Sequence, residues 1–180
     1  RKILIAQNEE DASLIYMDAS KIPHTLVAGS SGSGKGILFR NMILDLCINT
    51  DPDKTHIYIL DPKSGQDFNY WIKYLPHKKR YKSKDNKKII REQEEAKEFF
   101  EWLVEEVDRR YRLISDNDCR SLEHYQKKFN DNFPIIWVFH DELENWTGSK
   151  DYFHDVDENL NKLAAKARAA GVYLVFATQR

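Results

Sequence analysis

A doubly wound α/β domain built on a mostly parallel sheet is the architecture this 180-residue sequence predicts, and three observations carry the prediction. Four short runs, Thr25–Ala28, Ile57–Leu60, Ile135–Phe139 and Val172–Ala177, are β-branched and aromatic and nearly continuous rather than alternating. Strands covered on both faces of a parallel sheet read this way. Stretches with helical spacing separate the runs, as right-handed crossovers require. A glycine-rich segment opens directly after the first run, and ligands of such folds sit beyond the carboxyl ends of the strands.

Taken in order, Lys2–Ala6 and Leu14–Met17 flank the polar segment NEEDAS and predict a hairpin outside the main sheet, so residues 1–22 read as a lead-in to a core over 23–180. Ile37–Cys47 is apolar almost all round and predicts a helix tucked against the sheet. Glu94–Ile114 puts Phe100, Leu103, Val104, Val107, Tyr111 and Ile114 on one stripe, with Glu105/Arg109 and Glu106/Arg110 as i, i+4 pairs on the wet face. Asp155–Ala170 repeats Val156, Leu160, Leu163, Ala164 and Ala167 at helical spacing and stops at Gly171, a residue suited to the position after a helix end. No internal repeat or low-complexity tract interrupts the pattern.

The composition, 41% hydrophobic and 32% charged, is that of a soluble globular chain with room for one well-buried domain over residues 1–180. Two cysteines, Cys47 and Cys119, make no disulfide framework and fit a reducing compartment. No apolar run approaches the roughly 20 residues that cross a bilayer, so a cytoplasmic fragment without membrane contact is expected. The chain starts at Arg1 and stops directly after an apolar run, which reads as a piece of a longer protein whose anchor, if it has one, lies elsewhere. A net charge of −1 excludes a uniformly basic surface, but the charges are blocked. His77–Lys88 holds seven Lys/Arg against one Asp within a loop spanning 77–90, and Glu92–Asp108 is rich in glutamate. Lys78, Lys79, Arg80 and Lys82 are therefore candidate nucleic-acid contacts, a solvated loop being the other reading.

Three segments at strand ends carry chemistry. GSSGSGKG approaches the phosphate-binding pattern G-x-x-x-x-G-K-[ST], in which amides cradle phosphates, the lysine reaches the terminal ones and the last hydroxyl ligates Mg²⁺. Gly29, Ser30, Ser31, Gly32, Ser33, Gly34, Lys35, Gly36 and Ile37 form this candidate nucleotide loop, with Gly36 where the hydroxyl belongs. Strand before and helix after supply the amides and partial positive charge the motif needs. IIWVFHDE ends a buried run on Asp141 and Glu142, a carboxylate pair costly to dehydrate unless it faces a cation. In a nucleotide site Asp141 would hold Mg²⁺ and Glu142 would polarise the attacking water. Asp141 as a helix N-cap is the alternative, and His140 reads as a rim or core residue. Ala177-Thr178-Gln179-Arg180 follows the last run as a weak sensor candidate, and Asp61-Pro62-Lys63 reads as a turn.

Together IPHTLVAGSSGSGKG, ILDPKSG, DRRYRLISDNDCRSLEHY, VFHDELENW and, most specifically, LAAKARAAGVYLVFATQR resemble the FtsK/SpoIIIE family of double-stranded-DNA translocases over nearly the whole chain. The resemblance implies a RecA-like P-loop NTPase core, helices on both faces of its sheet, using ATP and Mg²⁺ in a hexameric homo-oligomeric ring around duplex DNA. It implies phosphate binding by Lys35, magnesium association by Asp141, catalysis by Glu142, sensing by Gln179 and an arginine finger, Arg168, reaching a neighbouring subunit's site. Without the resemblance Arg168 reads as a cation complementing the negative end of its helix. Family members run on past ATQR into further core strands, which implies truncation here. Gly36 departs from the usual Ser or Thr, as in some similar conjugative coupling proteins, and implies a slower ATPase. Two other functions stay open: a protein-secretion ATPase of the type VII kind, which resembles the same family, and a nucleotide-binding scaffold of little activity.

Overall fold

Two antiparallel strands open the chain, β1 (Lys2–Gln7) and β2 (Leu14–Asp18), forming a two-stranded sheet of their own. The computed structural model describes residues 2–19, 21–63, 68, 75–77, 89–147 and 150–179. Four further strands, β3 (His24–Ala28), β4 (Thr55–Leu60), β5 (Ile135–His140) and β6 (Val172–Thr178), make a parallel sheet in the order β3-β6-β5-β4. Between them run α1 (Lys35–Asn49), α2 (Gln93–Asp116), α3 (Leu122–Phe129), α4 (Glu144–Thr147) and α5 (Lys150–Lys166).

Alternation along the strands sorts the core into two layers. Ile57, Ile59, Trp137, Phe139, Tyr173 and Val175 pack with Phe39, Met42 and Ile43 of α1 and Ile3 of the hairpin. Tyr58, Leu60, Ile136, Val138, Val172 and Leu174 pack with Phe99, Phe100, Leu103 and Val107 of α2 and with Leu163. Helices thus cover both faces, and burying these side chains, each stabilising by about 1.5–3 kcal/mol, fixes the strand register. Because all four strands are parallel, their carboxyl ends emerge along one edge.

Several elements differ from the sequence reading, each for a local reason. Helix α1 buries one face only: Ile37, Leu44 and Ile48 are exposed on the other, since a helix lying on a sheet has one side to cover. The hairpin lies against α1, where the Leu4 amide donates to Asp45 Oδ2 at 3.2 Å. Strand β3 ends the order of the sheet with one neighbour, and Leu26 is 63% exposed. On α2 the buried positions are Ala96, Phe99, Phe100, Leu103, Val107, Arg110 and Ile114, while Tyr111 is exposed. Arg110 is therefore not on the wet face. Its guanidinium donates to Glu106 at 2.7 Å, to the Pro134 carbonyl at 2.9 Å and to the Ala170 carbonyl at 3.0 Å, holding together the chain just before β5 and β6. Arg109 pairs with Glu106 rather than Glu105.

Helix α5 ends at Lys166, and turns continue to Gly171, whose φ is 71°. Helix α3 was not anticipated; the short α4 falls within the stretch that the alternative reading of Asp141 as an N-cap makes helical. Ser121 caps α3 by accepting from the His124 amide at 3.2 Å, and Lys127 pairs with Glu123 along it. Cys47 and Cys119 are unjoined, and burial pushes the Cys47 thiol up to about 11. Among the described residues no helix is long and apolar enough to cross a membrane. Lys78, Lys79, Arg80 and Lys82 lie outside the described residues.

Candidate nucleotide site

Four loops meet at the carboxyl edge of the sheet, and each brings a residue type that phosphate chemistry uses. Gly29 leaves β3 with its amide bonded to the Thr178 carbonyl of β6 at 3.3 Å. A Cβ at Gly29 would meet Ser33 Oγ at 2.6 Å, so a larger residue there requires the Ser33 hydroxyl to turn away. Ser30 to Ser33 are exposed, and Gly34, at φ 92°, turns the chain into α1. That left-handed conformation favours glycine, and it leaves the first amides of α1 pointing out of the helix. Lys35 folds back over the loop, its ammonium donating to the Gly29 carbonyl and, at 3.0 Å, to the Ser30 carbonyl. A lysine held by loop carbonyls is placed to exchange them for an anion in the same cradle.

Across β6 from this loop stand the acids. Asp141 and Glu142 are each 8% exposed. Asp141 Oδ1 accepts the Glu142 amide at 2.9 Å, so its side chain caps the adjacent peptide rather than a helix, and α4 starts only at Glu144. Glu142 sits at φ 46°, a left-handed conformation that costs a residue with a Cβ roughly 1–2 kcal/mol and marks functional turns. Its carboxylate is held on three sides. Oε1 accepts from Lys63 Nζ and from Gln179 Nε2 at 2.9 Å, and Oε2 accepts from Asn145 Nδ2 at 2.7 Å.

Gln179, just past β6, reaches two acids of the turn: besides its side-chain bond to Glu142, its own backbone amide donates to Glu144 Oε1 at 2.7 Å. Burial pushes the Glu144 carboxyl upward, but its own amide, the Gln179 amide, the Thr178 hydroxyl and the charge of Lys35 outweigh it, leaving the group below its ordinary value. Behind the turn His140 is fully buried against Phe100, Trp146 and Phe176, and burial pulls its imidazole down to about 4. Neutral, it donates from Nδ1 to the Asp141 carbonyl at 2.9 Å and fixes the backbone that carries the acids.

The model of the FtsK/SpoIIIE family matches residues 3–141. The chain belongs to the FtsK/SpoIIIE family. It is 29% identical over 171 residues to the DNA translocase SftA of Bacillus subtilis (strain 168), a match covering 92% of this chain and 17% of that protein. It is 31% identical over 170 residues to the DNA translocase FtsK of Caldanaerobacter subterraneus subsp. tengcongensis, covering 93% and 22%. This FtsK/SpoIIIE chain therefore spans about a fifth of the length of these relatives. Among solved structures, the monomer form of the pCW3 conjugation coupling protein TcpA with ATPγS is similar at a TM-score of 0.81 and 26% identity, over 99% of this chain and 48% of that one. The cytoplasmic domain of EssC, at a TM-score of 0.80 and 21% identity over 99% of this chain and 33% of that one, shares the fold.

Of the residues singled out in the sequence, this FtsK/SpoIIIE chain brings the Gly29–Ile37 loop, Asp141, Glu142 and Gln179 to one edge, and it sets Arg168 at the other. Arg168 is exposed in the turn before β6, whereas Gln179 follows that strand. A strand of this length separates the two ends by roughly 20 Å at about 3.3 Å per residue. Arg168 lines a groove of about 980 Å³ with Lys54, Arg120 and Lys127 at the amino ends of the strands. Three residues of the site were missed. Lys63 was read as part of a turn, Asn145 and Glu144 as the start of a helix, and the one available signal was the Asp-Pro-Lys placed after a buried run.

Proposed function

We propose that this chain binds and hydrolyses ATP as the motor module of a double-stranded-DNA translocase, working as a ring-shaped homo-oligomer that is hexameric in the full-length protein. One observation carries the reading: the Lys35 loop, Asp141, Glu142 and Gln179 converge at one sheet edge, while Arg168 stands exposed at the opposite edge, out of reach of its own chain's Lys35 loop. Relatives named DNA translocases support DNA as the load.

In this reading the amides of Ser30 to Gly36 and the start of α1 bind the phosphates, and Lys35 moves from the loop carbonyls to the terminal phosphate oxygens. Glu142 takes a proton from the attacking water, aimed by its bonds to Gln179 and Asn145. Arg168 of one copy stabilises charge at the site of the next. The acid turn fits Mg²⁺: Asp141 offers a carboxylate at the edge, and Glu144 Oε2 is buried with no hydrogen-bond partner. Among the described residues no three His, Cys, Asp or Glu side chains gather into a metal cage, so the ion would rest on Asp141, waters and phosphate oxygens. When bound, Mg²⁺ supplies neutralisation of the phosphate charge.

Gly36 bears on this directly. A Cβ added there meets nothing within 4 Å, and its φ is ordinary for a helix, so a hydroxyl side chain fits without rearrangement. Gly36→Thr therefore raises the Mg²⁺-dependent turnover of the full-length protein by about 10-fold or more, the range in which metal-site partners act. An unchanged, negligible rate in both proteins with ATP still bound would instead support a binding scaffold. The function as a whole is tested by hydrolysis in the full-length protein with and without duplex DNA. Stimulation by DNA, weakening steeply as salt rises, is expected; stimulation by a secreted peptide and not by DNA would overturn the DNA reading.

A further inference from the structure

Lys63 stands just past β4, the strand that flanks β5 on the side away from β6. A carboxylate offers about four lone-pair positions, two on each oxygen. On Glu142, Oε1 carries both the Lys63 ammonium and the Gln179 amide, and Oε2 carries the Asn145 amide. The first oxygen is fully subscribed. We propose that Lys63 is a brake on hydrolysis: its ion pair occupies the oxygen that takes the proton from water, and turnover requires the pair to open. This rests on the reading of Glu142 as the base.

Three features of the site favour a contact that opens over one that merely stabilises. The lysine side chain is 48% exposed and the glutamate side chain 10%, so the ammonium can return to water while the carboxylate stays in place. The pair offsets part of the cost of dehydrating the Glu142 carboxylate, but the Gln179 and Asn145 amides remain on that carboxylate when the exposed ammonium leaves. Lys63 and Gln179 approach from opposite sides of β5, from the ends of β4 and β6. Withdrawal of Lys63 alone leaves Gln179 and Asn145 to aim the freed oxygen. The left-handed backbone of Glu142, rarely adopted by side-chain-bearing residues, belongs to the class of conformations found at active sites and switch regions.

The test uses the full-length protein at saturating ATP without DNA. Lys63→Met keeps the apolar stem and removes the charge; Lys63→Arg keeps the pair. Lys63→Met is expected to raise kcat about tenfold, the effect of withdrawing one charge-assisted hydrogen bond, with KM for ATP within about twofold of the parent. Lys63→Arg stays near the parent rate, an outcome that general loosening of the loop would not give. Should Lys63→Met fold poorly, Lys63→Gln, which keeps a donor without the charge, gives the same comparison and is also expected to turn over faster. A lower or unchanged kcat in the charge-removing variant overturns the brake. Glu142→Gln in the same assay separates the two readings. If it is inactive while Lys63→Met is no faster, only the brake falls; if it hydrolyses ATP at the parent rate, Glu142 is not the base and both fall.

Discussion

Glu142→Gln lowers ATP turnover by the full-length protein by about 10²–10⁴-fold, the usual contribution of a positioned general base, while ATP still binds. The substitution isolates chemistry from structure. Glutamine keeps the size of the side chain and an oxygen able to accept from Gln179 Nε2, now 2.9 Å from Oε1, and it tolerates the φ of 46° no worse than glutamate. What it loses is the group that takes the proton. Alanine would be a poorer probe, because it removes partners from Lys63, Gln179 and Asn145 together and leaves their donors to find water. Steady-state hydrolysis, read beside ATP affinity, checks the expectation. Loss of binding along with turnover would mean that the residue holds the site together rather than acting in it.

Arg168→Ala lowers turnover by about 10³–10⁵-fold, the range in which arginine fingers act, and leaves ATP binding at the Lys35 loop of the same chain intact. The placement of Arg168 makes the direction of its action testable. It is exposed in a turn whose next two residues are held in place, the Ala169 carbonyl by the Leu122 amide at 2.8 Å and the Ala170 carbonyl by Arg110 at 3.0 Å. From the amino edge of the sheet it cannot reach the loop at the carboxyl edge of its own chain. Mixing Arg168→Ala protein with Glu142→Gln protein therefore restores part of the activity, since a site with an intact Glu142 from one copy and an intact Arg168 from its neighbour reappears. A helix-end cation with no role in trans would give no recovery on mixing, and a loss of less than about threefold in the single variant would remove the finger altogether.

Much of this was legible in the sequence because it depends on local pattern. Continuous runs such as Ile135–Phe139 and Val172–Ala177 are buried on both faces, and acids or glycines at their ends fall by topology on one edge. The first run, Thr25–Ala28, looks the same in sequence but, like β4, ends the sheet order, and unlike β4 it is partly exposed, a difference its composition does not record. Arg110 was misplaced for a different reason. Its position continues the spacing of Phe99, Phe100, Leu103 and Val107, but a charged residue is counted as polar, whereas the partners that make its burial affordable are carbonyls of Pro134 and Ala170 far along the chain. Lys63 was unreadable as a partner of Glu142 because the two are 79 residues apart and meet only when β4 lies beside β5. Short helices such as α3 depend on a cap, Ser121, more than on periodicity, and a single cap is a weak signal in a polar stretch.

A structure of the full-length Glu142→Gln protein with ATP, Mg²⁺ and duplex DNA decides whether a polyphosphate works at this edge. The expected result places the β- and γ-phosphates on the amides of Ser30 to Gly36, with the Lys35 ammonium moved from the Gly29 and Ser30 carbonyls to the phosphate oxygens, Asp141 on the metal side, and an arginine from a neighbouring copy, Arg168, at the γ-phosphate. Nucleotide bound elsewhere, or bound at the loop with Asp141 and residue 142 turned away from the γ-phosphate, would contradict the assignment of this edge as the site of hydrolysis.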